Sequence, residues 1–133
     1  MEYKYKTVLL IDDDDIDNIL HKMVINSINF ADKLIVCKSG EEAINYLQKA
    51  IKGEEKTPEM IFLDLRMPME NGFVFLKDYE MLPESLKNNI KIVVVTHSMD
   101  EKDLLQSQNN KYVSYFIDKP LTIEKLEELV ETI

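Results

Sequence analysis

Short apolar runs alternate along the chain with longer stretches in which apolar residues recur at helical spacing. The runs are Val8-Leu9-Leu10-Ile11, Leu34-Ile35-Val36-Cys37, Met60-Ile61-Phe62-Leu63, Ile90-Lys91-Ile92-Val93-Val94-Val95 and Tyr112-Val113-Ser114-Tyr115-Phe116-Ile117. An apolar run bounded by polar residues suits a strand buried on both faces. Between the runs, four sets mark the inward faces expected of helices: Ile16, Ile19, Leu20, Met23, Val24 and Ile28; Ala43, Ile44, Leu47 and Ile51; Val74, Phe75, Leu76 and Tyr79; Leu126, Leu129, Val130 and Ile133. Residues 100–110 offer only Leu104 and Leu105 and predict a short, marginal helix, while 82–89, entered through Pro83, reads as a loop. The order is βα repeated five times. That alternation predicts an α/β fold, a doubly wound five-stranded parallel sheet with five helices on its two faces, and right-handed crossovers leave few topologies open.

Local signals support the helix starts. Asp14 or Asp15 suits the N-cap of the first helix, with Asp17 near its positive end. Ser39 and Glu42 match the capping-box spacing for the second. Thr122 suits the cap of the last, with Leu121 and Leu126 placed as a hydrophobic staple.

Composition narrows the class. At 133 residues, 45% hydrophobic and 31% charged, the chain is long enough for one domain with a sizeable core. A net charge of -9 argues against nucleic acid or an anionic membrane as partner, since both call for basic patches. The lone Cys37 excludes an internal disulfide and fits a reducing cytoplasm. No stretch is apolar enough for a membrane span and the first residues lack a signal peptide's apolar core, so a cytoplasmic protein is expected. No linker, low-complexity tail or internal repeat is present.

The candidate chemistry gathers where the strands end. The first run stops at four adjacent carboxylates, Asp12 to Asp15. Two unit charges about 4 Å apart repel by roughly 1 kcal/mol in water and by about 4 at an effective dielectric near 20. Such a cluster needs a cation, protonation or dispersal into solvent. In a doubly wound sheet the carboxyl ends of all strands share one rim, where ligands bind. That rim receives Asp12 and Asp13, Asp64, Thr96 and Lys119. Three carboxylates make a hard oxygen site suited to Mg²⁺, which bridges carboxylates to phosphate oxygens. A hydroxyl and an ammonium serve the other oxygens of a phosphoryl group, and an Asp can itself be the nucleophile. Taken singly, Asp64 would pass for a turn cap, Thr96 for a strand residue and Lys119 for a surface lysine. Their joint occurrence at successive strand ends is what carries the reading.

With these residues in place the chain resembles the receiver domain of bacterial response regulators, across residues 1–133. The resemblance rests on Ile11-Asp12-Asp13, on Leu63-Asp64-Leu65-Arg66-Met67-Pro68 with Gly72, on Val94-Val95-Thr96 and on Asp118-Lys119-Pro120. It implies a flavodoxin-like sheet of order 2-1-3-4-5, with no output domain. It implies that Asp64 accepts a phosphoryl group from a sensor histidine kinase or a histidine phosphotransfer protein. By the same resemblance, Asp13, Asp64 and the backbone carbonyl of Arg66 hold Mg²⁺ (or Mn²⁺), Asp12 acts through water, and Thr96 and Lys119 bind phosphoryl oxygens. The Lys119-Pro120 bond is expected to be cis. Thr96 and Phe116 take the switch positions, and signalling would proceed by docking to a downstream protein target. Such a protein is a phosphoacceptor rather than a multiple-turnover enzyme.

Two positions depart from the family pattern. His97 stands where a small residue is common, and a ring there could restrict entry of phosphodonors or water; Phe116 stands where many members have Tyr. Arg66 and Ser98 occupy positions that, by resemblance, tune the lifetime of the phosphorylated state. The acidic last helix (Glu124, Glu127, Glu128 and Glu131) reads as a solvated face, with a partner surface as the alternative. A haloacid dehalogenase-like phosphatase shares the Asp12-x-Asp14 opening but places a further acidic pair after its lysine, where this chain enters its last helix. A flavodoxin-like cofactor carrier would need a phosphate-binding loop in place of four aspartates. An EF-hand reading of Asp13, Asp15 and Asp17 lacks the turn Gly and the final Glu. A degenerate receiver that only binds partners is disfavoured by the full residue set.

Overall fold

The computed structural model describes residues 2–66, 72–97 and 101–133. Five strands, β1 (Tyr5–Ile11), β2 (Ala31–Cys37), β3 (Met60–Leu63), β4 (Lys91–Thr96) and β5 (Val113–Asp118), form one sheet of order β2-β1-β3-β4-β5. Every neighbouring pair is parallel, as expected. The helices are α1 (Asp15–Ser27), α2 (Gly40–Ile51), α3 (Gly72–Glu80), α4 (Glu84–Lys87), α5 (Glu101–Gln108) and α6 (Ile123–Thr132). Among the described residues that is one more than the five anticipated. The extra element, α4, is a single turn inside the stretch read as a loop, too short to leave a periodic signal. It is held by Lys87, whose buried ammonium donates to the Glu80 carbonyl at 2.6 Å and the Tyr112 hydroxyl at 2.9 Å.

Alternation along the strands divides the interior in two. Leu9 and Ile11 of β1 join Ile61, Leu63 and Val94 on one face, beneath Leu47 of α2 and Phe75 and Tyr79 of α3. Val8 and Leu10 join Phe62, Val93 and Val95 on the other, beneath Ile25 of α1 and Leu126 and Leu129 of α6. The central strands β1, β3 and β4 are buried on both sides, which explains their uninterrupted apolar runs. β2 was expected to be buried too. It is an edge strand, and Val36 within it is exposed.

The helix starts follow their local signals. Asp14 caps α1, accepting from the N–H groups of Ile16 and Asp17; Ser39 caps α2 and Thr122 caps α6. The side chain of Glu42 reaches the N–H of Lys38, one residue before the cap. Leu121 and Leu126 are both buried in the α6-side core, as the staple requires.

One face assignment fails. Ile16, Ile19, Leu20 and Met23 are not the inner face of α1 but are exposed by 69, 60, 51 and 63%. The buried stripe is Asn18, His21 and Ile25, with Val24 and Ile28 partly buried. Residues 18, 21, 25 and 28 share one side of a 3.6-residue helix. The amide of Asn18 pins that side inward by donating to the Asp12 carbonyl at 2.8 Å. Ile51 and Val74, also expected inside, are exposed at their helix surfaces. Among the described residues no helix is long and apolar enough to cross a membrane.

Candidate functional site

The parallel register delivers the strand ends to one rim. Ile11 pairs with Cys37 on one side and Leu63 on the other, Leu63 with Val94, and Thr96 with Asp118. The ladder continues one step past the strands: Asp12 N–H donates to the Cys37 carbonyl, Asp64 N–H to the Ile11 carbonyl and Lys119 N–H to the Thr96 carbonyl, each at 3.0 Å. Backbone pairing therefore fixes the Cα positions of Asp12, Asp64 and Lys119 before any side-chain contact is considered.

Side chains then converge on Lys119. Its buried ammonium donates to Asp12 Oδ2 at 2.7 Å, Asp17 Oδ2 at 2.7 Å and Asp64 Oδ2 at 2.9 Å. An ammonium has three protons, and each has a carboxylate. Burial by itself would lower the pKa of Lys119, but these three hydrogen bonds outweigh it and hold the group above the ordinary lysine range. Burial raises the pKa of Asp12, with the Lys119 hydrogen bond opposing it. For Asp17 the balance reverses: its modest burial is outweighed by the bond to Lys119, and its pKa is lowered.

The second oxygen of Asp64 is also held. Oδ1 accepts from the Arg66 N–H at 3.0 Å and from Thr96 Oγ1 at 3.1 Å, and Thr96 is fully buried. A β-branched residue at the last position of a central strand thus turns its hydroxyl into the site rather than into the core. Gly72 explains itself in the same region. A Cβ there would lie 2.9 Å from the Asp64 carbonyl oxygen and from Leu65 Cα, so only glycine lets α3 begin this close to the loop that carries Asp64. The expected cis bond is present at Lys119-Pro120.

Asp13, Asp14, Asp17, Asp64, Arg66, His97 and Lys119 line an open pocket of about 370 Å³. One carboxylate oxygen from each of Asp12, Asp13 and Asp64 can be chosen so that all lie within 4.8 Å of one another. An all-oxygen donor set of this kind fits a hard divalent cation and would be ill suited to a soft one. Asp12 has one oxygen on Lys119 and the other accepting from the Asp14 N–H at 3.0 Å, which fits a role at one remove from a cation.

The structure thus brings together Asp12, Asp13, Asp64, Arg66, Thr96 and Lys119, which the sequence singled out. Phe116 lies apart from the carboxylates, half-buried against the core on the α2 and α3 side. Ser98 and residues 67–71 of the third-strand motif lie outside the described residues. Sequence reasoning missed the part played by Asp17. Asp17 does lie in the first turn of α1, as expected, but its carboxylate also reaches Lys119 and stands 3.5 Å from Nε2 of the exposed His97. Its place in the first turn of a helix that starts at the rim was the available signal. Arg66, exposed beside the pocket, forms an ion pair with Asp103 of α5.

Comparison with known proteins agrees with this geometry. The model of the response regulator receiver domain matches residues 8–131. A probable methanogenesis regulatory protein of Methanothrix harundinacea, FilR2, is 32% identical over 95% of this chain and 79% of its own length. The response regulator Rcp1 of Synechocystis is 30% identical over 96% of this chain and 86% of its own. Among solved structures, a two-component response regulator from Cytophaga hutchinsonii superposes with a TM-score of 0.86, at 30% identity and 96% coverage of both chains. The Mn²⁺-bound form of Rcp1 superposes at 0.72, with 27% identity over 95% of this chain and 89% of that one. Strand ends that deliver two acids, a third acid, a threonine and a lysine to one rim, in a chain matched almost end to end, place it in the response regulator receiver domain family.

Proposed function

We propose that Asp64 accepts a phosphoryl group from a phosphohistidine of a sensor histidine kinase or histidine phosphotransfer protein. The observation that carries this reading is the set of donors around Asp64: the Arg66 N–H and Thr96 hydroxyl on one oxygen and the Lys119 ammonium on the other. An Asp64 oxygen forms the new bond to phosphorus as the bond from phosphorus to the donor imidazole breaks. The departing nitrogen keeps that electron pair and takes up a proton. Thr96 and Lys119 would hold phosphoryl oxygens as they gain charge, as donors supplied by the protein in place of water. Asp13, Asp64 and the Arg66 carbonyl would hold Mg²⁺, or Mn²⁺ as in the solved Rcp1, with Asp12 acting mainly through water; the ion supplies divalent charge to offset that of the phosphoryl group.

Phosphorylation would then be read by a partner. Thr96 moves toward the phosphoryl group and Phe116 fills the space it leaves; without a hydroxyl, Phe116 is held there by packing alone. The exposed apolar row of Ile16, Ile19, Leu20 and Met23 starts beside the pocket and suits contact with a donor protein whose histidine must reach Asp64. The same reading makes the chain a cytoplasmic phosphoacceptor that docks to a downstream protein, not an enzyme turning over an external substrate. Neither nucleic acid nor membrane is a partner in it, in keeping with the net charge of -9.

Intact-mass measurement after incubation with Mg²⁺ and acetyl phosphate tests this directly. One phosphoryl adduct is expected, absent from Asp64→Ala and abolished by EDTA. An unmodified wild-type protein, or an adduct that persists in Asp64→Ala, overturns the proposal.

A further inference from the structure

We infer that Asp17 is a positioning residue that restrains Lys119 and so acts as a brake on formation of the phosphorylated state. The inference rests on the reading of Asp64 as phosphoacceptor. Asp12 and Asp64 already give Lys119 two carboxylate partners from strand ends. Asp17 adds a third from α1, at 2.7 Å, as short as the bond to Asp12 and shorter than that to Asp64. All three ammonium protons are thereby committed within the protein. A phosphoryl group arriving at Asp64 must draw on that same ammonium, against a carboxylate whose ionised form the contact favours.

Charge acts in the same direction. Asp17 and Asp64 bond to one nitrogen, so the Asp17 carboxylate stands close to any dianionic group on Asp64. Phosphorylation adds one negative charge at Asp64, and a further unit charge about 5 Å from the Asp17 carboxylate disfavours that state roughly fourfold even with water-like screening. No backbone constraint requires an acid at position 17, because the cap of α1 is Asp14. Oδ2 of Asp17 also faces His97 Nε2 at 3.5 Å, so α1, the residue that follows β4 and Lys119 meet at one oxygen beside the mouth of the pocket.

The role predicts a gain on removal, which a merely structural residue would not give. With Mg²⁺ in excess, Asp17→Asn is expected to bind beryllofluoride, a phosphoryl mimic, roughly fourfold more tightly than wild type, and to react with acetyl phosphate faster by a similar factor. Asp17→Ser should do the same if Asn disturbs folding, whereas Asp17→Glu should stay near wild type. Asp14→Asn is the control for charge alone: Asn serves equally as an N-cap, and Asp14 lines the pocket without touching Lys119. Its gain should be clearly smaller. A metal-free readout checks the contact itself, because the Asp17 carboxyl resonance should titrate at higher pH in Lys119→Ala than in wild type. Unchanged or weaker beryllofluoride binding in both Asp17→Asn and Asp17→Ser, or an equal gain in Asp14→Asn, overturns the brake. Failure of the wild-type protein to bind beryllofluoride or take up phosphate at Asp64 would overturn the proposed function instead.

Discussion

α1 and α6 cover the same face of the sheet and each begins beside a strand end that serves the site, yet they bury opposite kinds of side chain. α6 sets Leu126 and Leu129 against Val93, Val95 and Ile117 and leaves its glutamates in water. α1 takes in Asn18 and His21 and leaves Ile16, Ile19, Leu20 and Met23 outside. Apolar burial alone does not choose an orientation for α1, because Val24, Ile25 and Ile28 on one side rival four apolar residues on the other. The choice falls to the polar anchor at its start, Asn18 on the Asp12 carbonyl. That orientation has a cost. Nδ1 of His21 and Oδ1 of Asn18 are buried with no hydrogen-bond partner among the described residues, and burial lowers the pKa of His21. A helix placed by the core follows its hydrophobic pattern; a helix placed by a charged site need not.

Mutations on the two helices should separate these causes. Leu126→Ala removes a fully buried side chain from the core of α6 and is expected to cost about 2–5 kcal/mol in urea unfolding. A loss under about 1 kcal/mol would show that α6 is not held by its apolar face. Asn18→Ala is expected to cost about 1–3 kcal/mol, because the Asp12 carbonyl loses its partner in a buried setting. It should also shift the amide resonances of Asp12 to Asp14; unaltered resonances would mean that α1 is oriented by something other than this amide. Ile19→Ser, the smallest effect, should change stability by less than about 0.5 kcal/mol despite removing an isoleucine. A core-sized loss there would restore the inward face that the periodicity suggests.

What the sequence by itself determined is what depends on local chemistry or on period. Uninterrupted apolar runs marked the central strands, and their alternation with helices led to a parallel sheet. Asp14, Ser39 and Thr122 acted as caps because a short oxygen-bearing side chain satisfies free N–H groups wherever a helix starts. Asp12, Asp13, Asp64, Thr96 and Lys119 were legible because strand ends of such a sheet share one rim. Tertiary structure decided what depends on a partner distant in the chain. The single turn α4 exists through the reach of Lys87 to Tyr112. α1 faces inward with Asn18 rather than Ile19 because the acceptor lies beyond the end of β1. Asp17 became part of the site only when Lys119, 102 residues away, came within 2.7 Å of it. Periodicity records which residues share a side of a helix, but which side turns inward is settled by everything that side can meet.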